Sequence, residues 1–392
     1  MSDICFLMLP EPGHLLPTLR VASLLKQRGH RIRYITTSEY APFLGRLGFD
    51  CVPVLSFLTS MRQELVAIAE TSHAGVQVLS VVLAYCATNG ISLEQLIIRE
   101  IKSLQTDCIL VDSAFGPVIG HLLNAFQRFR FVRLSTAFQD FFRPKPLSTK
   151  PGKEFSSSTS FVNVPEIVLC PRELDLPNTS HGERSYFVEP SVFCPRIDQQ
   201  FNYSKVAISK QLIYFSLGTQ STAYTDSGSL LASVVSAFRD LSNRNRYQLI
   251  VSVGGHMDPA AITCEEANIL AFRSVPQLEI IKRASLVITH GGLGTIKESI
   301  LNGVPMLVFP FLNDQPANAD RVEHHCLGRK CSVDAIGSLP STIEEVATSE
   351  HIHHAVKRMQ TIFRRYEETT PSISLIEGLL KSGVAPRTPL IC

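Results

Sequence analysis

The stretch Ile288-Thr289-His290-Gly291-Gly292-Leu293-Gly294-Thr295-Ile296-Lys297-Glu298 concentrates residues suited to a negatively charged ligand. The apolar run ending at Thr289 predicts a strand and the residues after Gly294 predict a helix, so the glycines fall on a strand-to-helix turn. Such a turn lets backbone approach a ligand closely, and the helix it opens presents unpaired N–H groups and a positive dipole end. His290 and Thr295 add side-chain donors. Close packing of helix against strand also asks for glycines here, and at this point both readings stand. Other chemistry is poorly served. His351-Ile352-His353-His354 and His324-His325 lie in charged, helical contexts without carboxylates or cysteines at ligand spacing, and read as solvated surface, so no metal site is expected. The first strand leads into Glu11-Pro12-Gly13-His14 rather than G-x-G-x-x-G, and no acidic residue closes the second, which disfavours a nicotinamide cofactor.

The elements that would position these residues alternate between buried strands and helices, the pattern of parallel sheets covered on both faces. In the first half, strands are expected at 4–9, 31–36, 108–111 (ending at Asp112) and 131–134, with helices over 16–28, stopped by Gly29, and 117–126. From 139 to about 205, Pro, Ser and Thr cluster with interspersed phenylalanines. This predicts long loops and a linker, which either wall an apolar pocket or merely connect. The alternation restarts with strands at 212–216, 248–253, 269–272, 286–289 and 306–309, a helix over 229–241, a charged helix over 351–366 and a weakly apolar stretch over 372–380.

At 392 residues the chain suits two domains, and 45% hydrophobic against 18% charged residues describes a packed globular protein. A net charge of +2 provides no footprint for nucleic acid. The N-terminus lacks a basic n-region, and the longest apolar zone, around 76–87, falls short of the roughly 20 residues of a membrane span. The ten cysteines contain no C-x-x-C pair and are expected to be free thiols in a reducing cytoplasm; peripheral contact with a membrane stays open.

Several segments then match one family in order. Val275-Pro276-Gln277, the His290-Gly291-Gly292 turn, Asn302-Gly303-Val304-Pro305 and Pro310-Phe311-Leu312-Asn313-Asp314-Gln315-Pro316-Ala317-Asn318-Ala319 resemble the donor-binding signature of the family-one glycosyltransferases. This group contains plant, bacterial antibiotic-tailoring and animal glucuronosyl enzymes. Ser216-Leu217-Gly218-Thr219 resembles the turn that opens their C-terminal domain, and Gly13-His14-Leu15-Leu16-Pro17 resembles their catalytic Gly-His-x-x-Pro element. Leu293-Gly294-Thr295 in place of the plant Trp-Asn-Ser is closer to the bacterial natural-product members. The chain has no Trp, and Ser274 and Val275 stand where many relatives place an aromatic against uracil.

The resemblance implies the GT-B fold: α/β, with two Rossmann-like parallel-sheet domains facing a cleft. Residues 1–205 would bind the acceptor, 206–370 the nucleotide sugar, and 371–392 would form a tail crossing back to the first domain. It implies an inverting transfer of a hexose to a hydroxyl of a small lipophilic acceptor. His14 would act as general base, since an alcohol is a poor nucleophile and a near-neutral histidine can take its proton. Asp112 would fix that ring, unless it merely caps a helix. Ser216, Gly218, Thr219, Val275, Gln277, His290, Gly291, Gly292, Gly294, Thr295, Glu298, Asp314 and Gln315 would hold the donor. The nucleotide sugar is a co-substrate and no cofactor is expected; a UDP-sugar is favoured and a TDP-sugar admitted. No Asp-x-Asp clamp for a metal-bound nucleotide sugar occurs, so transfer is expected to be metal-independent. A carboxylate and an amide at Asp314 and Gln315 suit a fully hydroxylated hexose, glucose first, unless Asp314 simply caps the next helix. Two alternatives remain. One is an epimerase or hydrolase of the same fold, which would need no acceptor site. The other is a non-catalytic helper subunit, which would have lost His14 or the His290 turn.

Overall fold

The computed structural model describes residues 1–53, 90, 104–115, 130–138, 164–192, 201–207, 209–218, 227–241, 244–254, 257–265 and 268–382. The expected helix at 117–126, the apolar zone at 76–87, the Pro/Ser/Thr clusters at 143–160 and Thr219 lie outside the described residues.

The chain forms two compact units. The first comprises residues 1–172, 178–193 and 366–392, the second residues 173–177 and 194–365. Each is built on its own all-parallel sheet. In the first unit the strands are β1 (Asp3–Leu7), β2 (Arg31–Ile35), β3 (Asp50–Val52), β4 (Cys108–Asp112), β5 (Arg130–Ser135), β6 (Glu166–Val168) and β7 (Ser185–Phe187), ordered β3-β2-β1-β4-β5-β6-β7. The central strands read as continuous apolar runs because both faces are covered: β1 and β4 are buried along nearly their whole length. Between β1 and β2 the chain is helical in three short pieces, the last being Leu19–Gln27, which turns Leu19, Val21, Ala22 and Leu25 inward. Gly29 follows with φ +88°, a conformation that ends a helix at low cost only for glycine.

The region from 139 to 205 departs from the loop-only expectation, since β6 and β7 complete the sheet edge. Three-residue strands are too short for alternation to be read, and β6 carries a glutamate at its head. Glu166 is nonetheless buried, its carboxylate accepting from Arg133 Nη2 (2.6 Å), Ser135 Oγ (2.6 Å) and Ser185 Oγ (2.9 Å). A buried charge satisfied in this way does not look like a strand in sequence.

The last helix, Pro371–Ser382, belongs to the first unit. Its Ile373, Leu375, Ile376 and Leu379 join the core formed by Phe6, Leu19, Tyr34 and Leu110. The buried Glu189 carboxylate accepts from both the backbone N–H (3.1 Å) and the hydroxyl of Ser372, and Arg20 pairs with Glu367. Burial holds the Glu189 carboxyl above its ordinary range despite these bonds.

The second unit's strands are β8 (Gln211–Ser216), β9 (Tyr247–Ser252), β10 (Ile269–Phe272), β11 (Ala284–Thr289), β12 (Met306–Val308) and β13 (Gly328–Lys330), ordered β10-β9-β8-β11-β12-β13. The helix Leu293–Asn302 follows β11, and Gly303 ends it in the left-handed conformation. This helix is buried on nearly every side, and it takes Thr295, Lys297, Glu298 and Ser299 inward with Ile296 and Ile300. Polar residues kept buried along a short helix need partners close by, which makes its surroundings the place to look for chemistry. No helix among the described residues is long and apolar enough to cross a membrane.

Candidate functional site

In each sheet the chain leaves the central strand in one direction and later returns on its other side, at β1/β4 and at β8/β11. Such switch points open a crevice beyond the strands' carboxyl ends, where open α/β sheets bind ligands. The residues singled out in sequence collect at these two places.

In the first unit Leu7 of β1 pairs with Val111 of β4, so the loop after β1 runs beside Asp112. His14 lies on the short helix Pro12–Leu15, and its Nδ1 is 2.9 Å from Asp112 Oδ2. The Asp112 carboxylate is fully buried while the His14 side chain keeps 21% of its surface exposed. Asp112 is further fixed by backbone donors, Ala114 N to Oδ1 (3.0 Å) and Leu9 N to Oδ2 (3.3 Å). The cap-like contact and the histidine contact therefore coexist, one on each oxygen. Thr136 Oγ1, at the end of β5, stands 3.5 Å from the same Nδ1. A carboxylate on Nδ1 selects the tautomer with its lone pair on Nε2 and stabilises the imidazolium that forms when Nε2 takes a proton.

In the second unit Thr289 of β11 pairs with Ser216 of β8, which sets His290 against Gly218. A Cβ at Gly218 or at Gly292 would lie 2.4 Å or 2.6 Å from the His290 ring, and one at Gly291 would lie 2.8 Å from Val308. At these three positions protein atoms fill the space a side chain would take; of the four glycines at 218, 291, 292 and 294, Gly294 alone has nothing within 4 Å of where a Cβ would stand. The His290 imidazole thus packs on the side-chain face of Gly218 and Gly292, which accounts for glycine at both positions through packing. Burial pushes the His290 pKa down to about 4, opposed by a hydrogen bond with the Ser216 backbone, so the ring is neutral near pH 7. The helix Leu293–Asn302 begins at Gly292 without a side-chain cap. Its first N–H groups thus have neither an intrahelical acceptor nor a side-chain cap from Gly292, the general setting of an anion site.

Gln277 and Glu298 sit on one network: Gln277 accepts from Tyr214 Oη (3.0 Å) and donates to Glu298 Oε2 (2.6 Å) and Thr295 Oγ1 (3.4 Å). Val275 is buried beside them in sequence, and Ser216 Oγ accepts from Gly218 N (3.2 Å). Gln315 Oε1 accepts from Phe311 N (2.9 Å) and Leu312 N (3.2 Å), so its carbonyl closes the loop after β12. Asp314 heads the helix Gln315–His324 but makes no side-chain cap; its Oδ2 instead accepts from Asn318 Nδ2 (2.8 Å), which also donates to the Gly291 carbonyl (3.0 Å).

The sequence gives no sign of roles for Tyr214, Arg321 and Asp175, and it places Asn318 within the donor-binding segment without assigning it a role. Asn318 follows Asp314 by one helical turn, a spacing that places both on one face and was there to be used. Arg321, one turn further, is buried and forks onto Asp175 Oδ1 at 2.9 Å and 2.7 Å; nothing in the sequence marks that partner. His325 is not the solvated histidine expected. It is half-buried, its Nε2 stands 3.1 Å from the Asp175 carbonyl oxygen, and burial lowers its pKa. Among the described residues no group of three or more His, Cys, Asp or Glu is placed to hold a metal ion.

Residues 225–369 match the glycosyltransferase family 28 C-terminal domain. The chain is 26% identical to the NDP-glycosyltransferase YjiC of Bacillus subtilis (strain 168), over 98% of this chain and 99% of that protein. It is 23% identical to the demethyllactenocin mycarosyltransferase of Streptomyces fradiae, over 97% of this chain and 87% of that protein. Among solved structures, CalG4, the calicheamicin glycosyltransferase, superposes with a TM-score of 0.71 at 20% identity, covering 98% of this chain and 100% of that one. Two switch-point sheets, relatives matched over nearly their whole length and a glycosyltransferase domain on the second sheet converge on one identity: this chain is a nucleotide-diphosphate-sugar glycosyltransferase of the GT-B type.

Proposed function

We propose that the chain transfers a hexose, with inversion, to a hydroxyl of a small lipophilic acceptor, His14 acting as general base. The 2.9 Å contact between His14 Nδ1 and the buried Asp112 carboxylate carries this reading. It orients a ring whose Nε2 can take the acceptor's proton as the oxygen attacks the anomeric carbon; the C–O bond to the diphosphate breaks as the new one forms. The uncapped start of Leu293–Asn302, with Thr295 and the neutral His290, supports stabilisation of the leaving diphosphate without a cation. Asp314 supports a fully hydroxylated sugar, glucose first, because a carboxylate can accept from two adjacent hydroxyls. Val275 and Pro276 provide an apolar surface for the base, which suits UDP and admits TDP. The names of two relatives point to natural-product acceptors, demethyllactenocin and calicheamicin. Seven free cysteines among the described residues favour a reducing compartment such as the cytoplasm.

The test is His14→Ala assayed with UDP- and TDP-sugars against a mixed panel of hydroxylated aglycones. Turnover should fall about 10²–10⁴-fold while nucleotide binding persists. Asp112→Asn should lower kcat less, since it orients the base without reacting. Near-normal transfer by His14→Ala would refute the base assignment, and a wild-type preference for a deoxysugar would refute the sugar assignment.

A further inference from the structure

Asn318 occupies a position where its amide has one permitted orientation. Arg321 Nη1 lies 3.4 Å from Asn318 Oδ1, and a guanidinium can only donate. The Gly291 carbonyl and the Asp314 carboxylate, at 3.0 Å and 2.8 Å from Asn318 Nδ2, can only accept. The oxygen must therefore face Arg321, and both N–H bonds of the amide are committed, one to each acceptor. Arg321 is held in turn, its Nε and Nη2 on Asp175 Oδ1 and the same oxygen accepting from Leu176 N (2.9 Å). Asn318, Arg321 and Asp175 are all buried, so no solvent competes for these bonds.

We propose that Asn318, fixed by the buried Arg321–Asp175 pair, is a positioning residue that sets the Asp314 carboxylate at a defined place relative to the Gly291 turn, and so governs how the sugar half of the donor is bound. The inference rests on the reading of Asp314 as the sugar ligand. Its physical content is a division of labour. The turn has a second anchorage that does not involve Asn318, because Thr289 holds Gly291 N through its hydroxyl (3.3 Å) and Phe309 N through its carbonyl (2.8 Å). The Asp314 side chain, following Asn313 with its left-handed φ of +59°, takes a donor from Asn318 that ties it to the turn. Removing that donor should cut the tie between the carboxylate and the turn and leave the diphosphate end of the site in place.

The discriminating variant is Asn318→Asp, which keeps the side-chain shape and the Arg321 contact but turns a carboxylate oxygen on Asp314 and on the Gly291 carbonyl. Either role predicts some loss of stability from the buried carboxylate, but only a positioning role makes the loss of binding fall selectively on the nucleotide sugar. Binding of UDP, TDP, UDP-glucose and TDP-glucose is measured by titration calorimetry, together with donor KM and kcat. Asn318→Asp is expected to weaken the nucleotide sugar about ten-fold or more, with bare UDP or TDP held within about two-fold. Arg321→Lys keeps the charge against Asp175 but loses the fork, and is expected to show the same selective loss in smaller measure. Equal weakening of nucleotide and nucleotide sugar, or wild-type donor binding in both variants, would overturn the proposal. Asp314→Ala, run alongside, separates the two claims. If it weakens the nucleotide sugar and Asn318→Asp does not, the positioning role alone fails. If it leaves the nucleotide sugar untouched, the sugar-ligand reading fails and the positioning role with it.

Discussion

Gly218 is packed against the imidazole of His290: a Cβ at Gly218 would stand 2.4 Å from His290 Cε1, and Gly218 holds φ +75°. Two independent costs therefore meet any substitution at this position, one in its own backbone and one in the ring opposite. Gly292 isolates the second cost, since its φ of −60° suits any residue while its Cβ would lie 2.6 Å from His290 Nε2. Gly218→Ala is expected to lose at least about 1–3 kcal/mol of stability from backbone strain alone and to weaken nucleotide binding. Gly292→Ala should weaken nucleotide binding with a smaller loss of stability. Chemical denaturation and nucleotide titration of the two variants check this; equal stability would show that the conformation of Gly218 contributes nothing.

His290 carries a pH signature. Its pKa is near 4 when folded and 6.5 as an ordinary histidine. Between these values the unfolded chain binds a proton that the folded chain refuses, so stability rises with pH across that window. The contribution is complete above pH 6.5, is lost as pH falls toward 4 and is level below, with a ceiling of roughly 3 kcal/mol. Urea midpoints at pH 7 and pH 5 should diverge more for the wild type than for His290→Gln. The same change in both would place the titrating group elsewhere.

Chelation should leave transfer intact. The proposed diphosphate site is built from helix N–H groups, Thr295 and a neutral histidine, and a neutral donor needs no counter-ion of its own. Assays after exhaustive EDTA treatment, with and without added magnesium or manganese, decide the matter. Activity abolished by EDTA and restored by either ion would contradict it.

The first unit should depend on the far end of the chain. Ile376 is fully buried in that unit's core, a cluster it shares with Phe6, more than three hundred residues earlier in the chain. Ile376→Ala is expected to cost about 2–5 kcal/mol, the usual worth of a buried isoleucine trimmed to a methyl. The loss should appear in the first unit's unfolding transition, monitored by hydrogen exchange, and not in the second's.

How much of this could be read without coordinates follows from the length and chemistry of each element. Long apolar runs such as 212–216 and 286–289 announce themselves as central strands, and the glycine turn at 291–294 stands directly after one of them. His14 and Asp112 stand out through the resemblance of Gly13-His14-Leu15-Leu16-Pro17 to a known motif and the place of Asp112 at the end of a later strand, although their contact depends on β1 and β4 being neighbours, which a single chain does not spell out. Glu166 hid a strand because a charge at its head breaks the apolar pattern, and only the Arg133, Ser135 and Ser185 partners make it tolerable. Gly218 and Gly292 were visible as glycines but not as sockets for a ring, since that reading needs the position of His290 in space. Asp175 left no trace at all. Its partner is 146 residues away, and an aspartate between leucines looks like any loop residue.

The return of helix Pro371–Ser382 into the first unit has a bearing on how the protein comes into being. A ribosome delivers residues in order, and domains ordinarily complete themselves from the N-terminus onward. Here the second unit has all its residues by Arg365, whereas the first still lacks Ile373, Ile376 and Leu379 at that moment. The unit made first is thus finished last, and until helix Pro371–Ser382 is made it carries an uncovered apolar face with Glu189 awaiting Ser372. A nascent chain stalled near residue 365 would hold a finished second unit tethered to an incomplete first unit, and that intermediate is where a chaperone would find its purchase.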